Sequence, residues 1–203
     1  YQREDAKMRI KLPDGFMAEL PELALKSQVV FPFGGEPFYF NPVLKFLSEH
    51  NTNLETRFFI ITNATLLTDK VMKTVGRLPI TCVATSLDAA TNESFQALRV
   101  RGRNASWDLV MENMAKLQKL KREKEFTFTV SLTLNSINAS EIETFVDLGL
   151  SFDAEPLISL VSNPYQTYEF QKEYLVFSDS QFEDMFAAIE RALPKVRNRG
   201  FED

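Results

Sequence analysis

Phe126-Thr127-Phe128-Thr129-Val130-Ser131-Leu132-Thr133-Leu134-Asn135 alternates without a break between apolar and polar side chains. Successive side chains of a β-strand point to opposite faces. One face of this segment therefore carries Phe126, Phe128, Val130, Leu132 and Leu134, and the other Thr127, Thr129, Ser131, Thr133 and Asn135. A central strand of an open doubly wound sheet is covered by helices on both sides and is apolar on both. The alternation fits a barrel or partial barrel instead, with helices covering the outside and a polar inner wall around a hydrated or ligand-filled lumen. An edge strand with one solvated face is the alternative.

Other apolar, β-rich runs stand before and after it: Gln28 to Phe33, Arg57 to Thr62, Ile80 to Leu87 and Ala154 to Val161. Helical patterns fill the gaps at Ala18 to Lys26, Pro42 to His50, Asp69 to Arg77, Ser106 to Lys124, Ser140 to Leu148 and Asp179 to Arg197. Strand starts about 25 to 45 residues apart, with helix between them, require crossovers and a parallel sheet rather than hairpins. The class is α/β. Asn41 before Pro42, Ser106, and Ser178 before Phe182, Met185, Phe186 and Ile189 are cap signals, and the last amphipathic run is expected to end near Pro194. Ser162 to Tyr174, polar and aromatic, reads as a loop or an irregular strand. With 203 residues, 44% of them hydrophobic, and no linker or low-complexity tract, residues 1–203 read as one domain.

A net charge of −5 gives no broad attraction for nucleic acid or an anionic membrane. No apolar run approaches the roughly 20 residues of a membrane helix, and Tyr1-Gln2-Arg3-Glu4-Asp5 is no signal peptide. A cytoplasmic location with no nucleic-acid or membrane partner is the expectation. Cys82 is the only cysteine, so this chain alone forms no internal disulfide and no cysteine-ligated cluster. The only histidine, His50, falls at an expected helix end, where an imidazolium meets the negative end of the dipole.

Ligands of parallel α/β folds bind at the carboxyl ends of the strands. Those ends read Gly34-Gly35-Glu36-Pro37, Thr62-Asn63-Ala64-Thr65, Ser86-Leu87-Asp88 and Asn135. Gly34 and Gly35 permit positive φ and bring bare backbone up to a ligand, while Glu36 offers an acceptor for a cation. A plain tight turn is the other reading of the glycine pair. Ser86 and Asp88 share a face with Cys82 and Ala84, so two hydrogen-bonding groups lie above small side chains where a ribose diol fits. Turn or cap roles remain open for Asp88 and Asn63.

Taken in order, Gly34-Gly35-Glu36-Pro37, Ile61-Thr62-Asn63-Ala64-Thr65-Leu66-Leu67, Ser86-Leu87-Asp88 and Leu98-Arg99-Val100-Arg101-Gly102 resemble the core of the radical S-adenosylmethionine enzymes. The likeness continues through Trp107, Asn113 and Leu117. It implies a partial (β/α)6 TIM-like barrel of parallel strands, with S-adenosylmethionine lying across the strand ends. It further implies Gly34, Gly35 and Glu36 at the methionine ammonium and Ser86 and Asp88 at the ribose hydroxyls. Arg99 or Arg101 would stand at the methionine carboxylate, with Arg101 favoured because it precedes Gly102 as in many relatives. Asn63 and Asn135 would point toward ligand or substrate.

The family's chemistry needs a [4Fe-4S] cluster on a Cys-x3-Cys-x2-Cys triplet, which cleaves the cofactor into methionine and a 5′-deoxyadenosyl radical. This sequence has no such triplet, and Tyr1-Gln2-Arg3-Glu4 resembles the residues that follow its last cysteine. The expectation is a truncated core without its first strand. Its intact parent would ligate the cluster and act on an unknown substrate, with peptide modification or enzyme maturation as candidate chemistries. An open edge at Gln28 to Phe33 would then allow self-association. The alternative is a naturally cluster-free barrel that binds an adenosine-containing ligand or a partner peptide without catalysis.

Overall fold

The computed structural model describes residues 15–32, 35–49, 55–99, 106–160 and 175–201. Among them, five strands form one sheet: β1 (Val29–Val30), β2 (Arg57–Thr62), β3 (Ile80–Ser86), β4 (Thr127–Leu134) and β5 (Glu155–Leu160). Their spatial order is the chain order, and every neighbouring pair is parallel. Helices alternate with them. α1 (Phe16–Leu25) precedes β1, α2 (Asn41–Glu49) joins β1 to β2, and α3 (Asp69–Val75) joins β2 to β3. α4 (Asn92–Arg99) and α5 (Trp107–Glu123) lie between β3 and β4. A 3-10 turn (Ala139–Glu141) and α6 (Ile142–Ser151) lead to β5, and α7 (Asp179–Arg197) follows.

The alternation in β4 holds residue by residue. Phe128, Val130, Leu132 and Leu134 are buried, while Thr129, Ser131 and Thr133 are half-buried. Because β4 pairs with β3 on one side and β5 on the other, its polar face is no edge effect. Register carries the division across the sheet. Phe58 and Ile60 of β2 and Val83 of β3 join Phe128 and Val130 in the core with Leu47, Val71, Met114, Leu117, Ile142 and Phe145 from the helices. Each such side chain contributes about 1.5–3 kcal/mol by leaving water. The opposite face carries Phe59, Ile61, Ala84, Ser86, Thr129, Ser131 and Glu155, all half-buried. This one-sided cover gives an α/β sheet of the partial-barrel kind.

Hydroxyl caps start three helices: Thr68 accepts from the Val71 N–H, Ser106 from the Leu109 N–H, and Ser178 from the Gln181 N–H. At α7 the Gln181 side chain returns the bond and completes a capping box.

Several expected bounds are corrected. The first strand is two residues long rather than running from Gln28 to Phe33. Among the described residues it has a partner on one side only, and Pro32 has no N–H to extend the ladder. Asn41 is the first residue of α2 rather than a cap before it. The last helix has its expected bounds, Asp179 to Arg197, and does not stop near Pro194. α4 was not expected from the sequence: only Ser94 and Phe95 of its residues are buried, too few to write a helical period. His50 and Ser162 to Tyr174 lie outside the described residues. Among those described, no helix is long and apolar enough to cross a membrane.

Candidate functional site at the carboxyl ends of the strands

Parallel pairing brings the ends of β1 to β4 to one edge of the sheet, and side chains knit them together. After β1, Gly35 has φ +78 with no atom within 4 Å of where a Cβ would stand, a conformation that selects glycine and leaves the backbone open to its surroundings. The Glu36 carboxylate reaches the end of β2. Its Oε1 accepts from the Thr62 hydroxyl at 2.9 Å and the Phe38 N–H at 3.4 Å, and its Oε2 from the Asn63 N–H at 2.8 Å. Burial pushes its pKa above the ordinary carboxylate value. The bonds from Asn63, Thr62 and Phe38 and the charge of Arg99 oppose that shift without cancelling it.

The turn after β2 is built on Ala64, fully buried and left-handed at φ 59. Asn63 Oδ1 accepts from the Thr65 N–H at 2.9 Å and its hydroxyl at 2.6 Å, an Asx turn. From α5, the buried Asn113 donates to the Ala64 carbonyl at 2.7 Å.

A second unit joins β3 to β4. Asp88, left-handed at φ 56, accepts from the Thr133 N–H at 2.8 Å and from Arg99 Nη2 at 2.5 Å. Arg99 Nη2 also donates to the Ser86 carbonyl at 2.9 Å, and Arg99 Nε is buried with no hydrogen-bond partner among the described residues. Glu141, beyond β4, accepts from the Ala90 N–H and the Thr91 and Ser94 hydroxyls at 2.6–2.8 Å and so anchors the start of α4. Arg99 ends the same helix.

The structure thus brings together Gly35, Glu36, Asn63, Ser86 and Asp88 from the residues singled out in the sequence. Gly34 and Arg101 lie outside those described. Asn135 is buried, its amide donating to the Thr133 carbonyl at 3.1 Å and accepting from the Ile137 N–H at 3.0 Å, so its polar atoms serve its own turn. Asn63 likewise spends its oxygen on Thr65. Sequence reasoning missed Glu141 and Asn138, whose bonds to the turn after β3 span some 50 residues and leave no local pattern.

The sequence profile of the Radical SAM superfamily matches residues 2–149. The chain belongs to the radical SAM superfamily. Solved structures share the fold of this radical SAM chain. SuiB of Streptococcus suis is 12% identical over 88% of this chain and 40% of its own, with a TM-score of 0.64, and is also known bound to S-adenosylmethionine. anSMEcpe, with bound AdoMet and the Kp18Cys peptide, is 15% identical over 85% of this chain and 49% of its own, with a TM-score of 0.60. The methyltransferase TsrM of Kitasatospora setae, with cobalamin and a [4Fe-4S] cluster bound, is 14% identical over 70% of this chain and 28% of its own, with a TM-score of 0.56. This radical SAM chain therefore spans half or less of the length of these three. A search of curated proteins gives no match.

Members of the superfamily use S-adenosylmethionine and a [4Fe-4S] cluster. The donors here fit the first: an acceptor carboxylate at Glu36, a hydroxyl at Ser86, and in Arg99 a guanidinium with a buried, unanswered N–H. They do not fit the second. Three thiolates are needed, and the one thiol, Cys82, is buried in mid-strand with its pKa pushed up by that burial, the reverse of what a metal ligand requires.

Proposed function

We propose that this chain is the S-adenosylmethionine-binding core of a radical enzyme whose cluster ligands lie outside these 203 residues. The observation that carries the reading is the placement of opposite charges. Glu36 and Arg99 stand on the two halves of the strand-end site, close enough that the guanidinium's charge opposes the rise that burial gives the carboxyl's pKa. An α-amino acid group presents the complementary pair. Gly34, Gly35 and Glu36 receive the ammonium, Arg99 takes the carboxylate, and Ser86 with the remaining lone pairs of Asp88 meets the ribose hydroxyls. Arg99 replaces Arg101 as the favoured cation because Asp88 and the Ser86 carbonyl already hold it at the strand ends.

When bound beside a reducing cluster, S-adenosylmethionine supplies a carbon radical able to abstract hydrogen. This chain's residues bind and orient it. The half-buried inner face, apolar at Phe59 and Ile61 and hydroxyl-rich along β4, is the wall against which a substrate would lie. A peptide is the candidate, as in the complex of anSMEcpe.

Calorimetric titration with S-adenosylmethionine, S-adenosylhomocysteine and ATP tests this. Heat with the first two that is lost in Arg99→Ala is expected, and no heat with either would sink the reading. A second reading, a barrel that binds an adenosine-containing ligand without catalysis, draws on the buried Cys82 as the chain's one thiol. A Cys-x3-Cys-x2-Cys encoded upstream of Tyr1 would remove it.

A further inference from the structure

Asn138 is completely buried, so it cannot touch a ligand, yet it makes three bonds at the site. Its Nδ2 donates to the carbonyls of Asp88 and Thr133, both at 3.0 Å, and its Oδ1 accepts from the Asn135 N–H at 2.8 Å. Two backbone groups of β4 fix more of Asp88. The Asp88 N–H donates to the Ser131 carbonyl at 3.1 Å, and its Oδ1 accepts from the Thr133 N–H. Only Oδ2 is left, and Arg99 takes it.

A left-handed φ is unfavourable for most residues, less so for Asp and Asn than for others, and it is held in place where surrounding bonds over-determine it. At Asp88 the bond to the carbonyl comes from Asn138 alone among the described residues. The carboxylate that aims Arg99 is therefore aimed by a peptide that Asn138 holds. We propose that Asn138 is a positioning residue, setting through Asp88 the direction in which Arg99 presents its guanidinium to an incoming carboxylate. This rests on the reading of Arg99 as the group that meets the carboxylate of S-adenosylmethionine.

Two measurements on this chain test it. The first compares binding of S-adenosylmethionine with that of its decarboxylated analogue, which keeps the ammonium, sulfonium and nucleoside. Wild type should prefer the former by about tenfold, the worth of one charge-assisted bond. Arg99→Ala and Asn138→Ala should each abolish the preference, with the larger loss falling on S-adenosylmethionine rather than on the analogue, a split that general loosening would not produce. Loss in Arg99→Ala with retention in Asn138→Ala overturns the positioning role alone. Retention in Arg99→Ala overturns the carboxylate reading, and the positioning role with it.

The second measurement needs no ligand: the Nε–H resonance of Arg99, read by NMR, should shift and exchange faster with water in Asn138→Ala. An unchanged resonance in a folded variant overturns the inference. If the alanine variant fails to fold, Asn138→Ser serves both measurements, since one hydroxyl cannot replace two amide donors and an acceptor together.

Discussion

With Glu36 protonated, its carboxyl group loses its charge and part of its acceptor capacity, so its hold on Thr62, Asn63 and Phe38 weakens and it no longer attracts a cation. Its pKa is raised in the folded chain. Two pH effects of opposite sign follow. For the ligand-free chain, the contribution of Glu36 to stability is fully present below the unfolded carboxyl pKa and is lost as pH rises through the raised folded value. Affinity for S-adenosylmethionine runs the other way, rising through that same value as the carboxylate ionises to meet the ammonium. Denaturant melts and calorimetry across pH 4 to 8 should show both trends in wild type, and neither in Glu36→Gln. Arg99→Ala should weaken binding about tenfold or more, the worth of a hydrogen bond to a charged group. Calorimetry at one pH suffices to check it.

At the scale of elements, the two faces of the sheet should respond unequally to substitution. Leu132→Ala empties a fully buried site and should cost about 2–5 kcal/mol, while Thr129→Val on the half-buried face should stay within about 0.5 kcal/mol. Asn113→Ala leaves the buried Ala64 carbonyl without its donor and should cost about 1–3 kcal/mol. Chemical denaturation separates these values. The face assignment was legible in the sequence because period-2 alternation in β4 is local, and the strand-end motifs were legible for the same reason. α4 was not, since its anchors are Glu141 at one end and Asp88 at the other, contacts that only the folded sheet creates. Arg101, favoured from its place before Gly102, lies outside the described residues, and the hold of Asp88 on Arg99, across 11 residues of turn and helix, leaves no local pattern for spacing to reveal.

For the whole molecule, the strand-end site consists of two tied halves, one on β1 and β2 through Glu36 and one on β3 and β4 through Asp88, Asn138 and Glu141. Asn113 from α5 holds the turn of the first half from outside the sheet. Nothing in either half supplies thiolates, so the isolated 203-residue chain is expected to bind S-adenosylmethionine weakly and not to cleave it. Chromatographic detection of 5′-deoxyadenosine formed by the purified chain would contradict this. The order β1-β2-β3-β4-β5 has a consequence for how the chain is made. Each described strand after the first lies beside the one synthesised just before it, so none of these five must wait for a distant partner still to come. Assembly can proceed in the direction of translation, with each crossover helix closing a short loop onto a sheet already begun. Arrested nascent chains ending beyond Leu134 should therefore already protect the amides of β2 and β3 from hydrogen exchange.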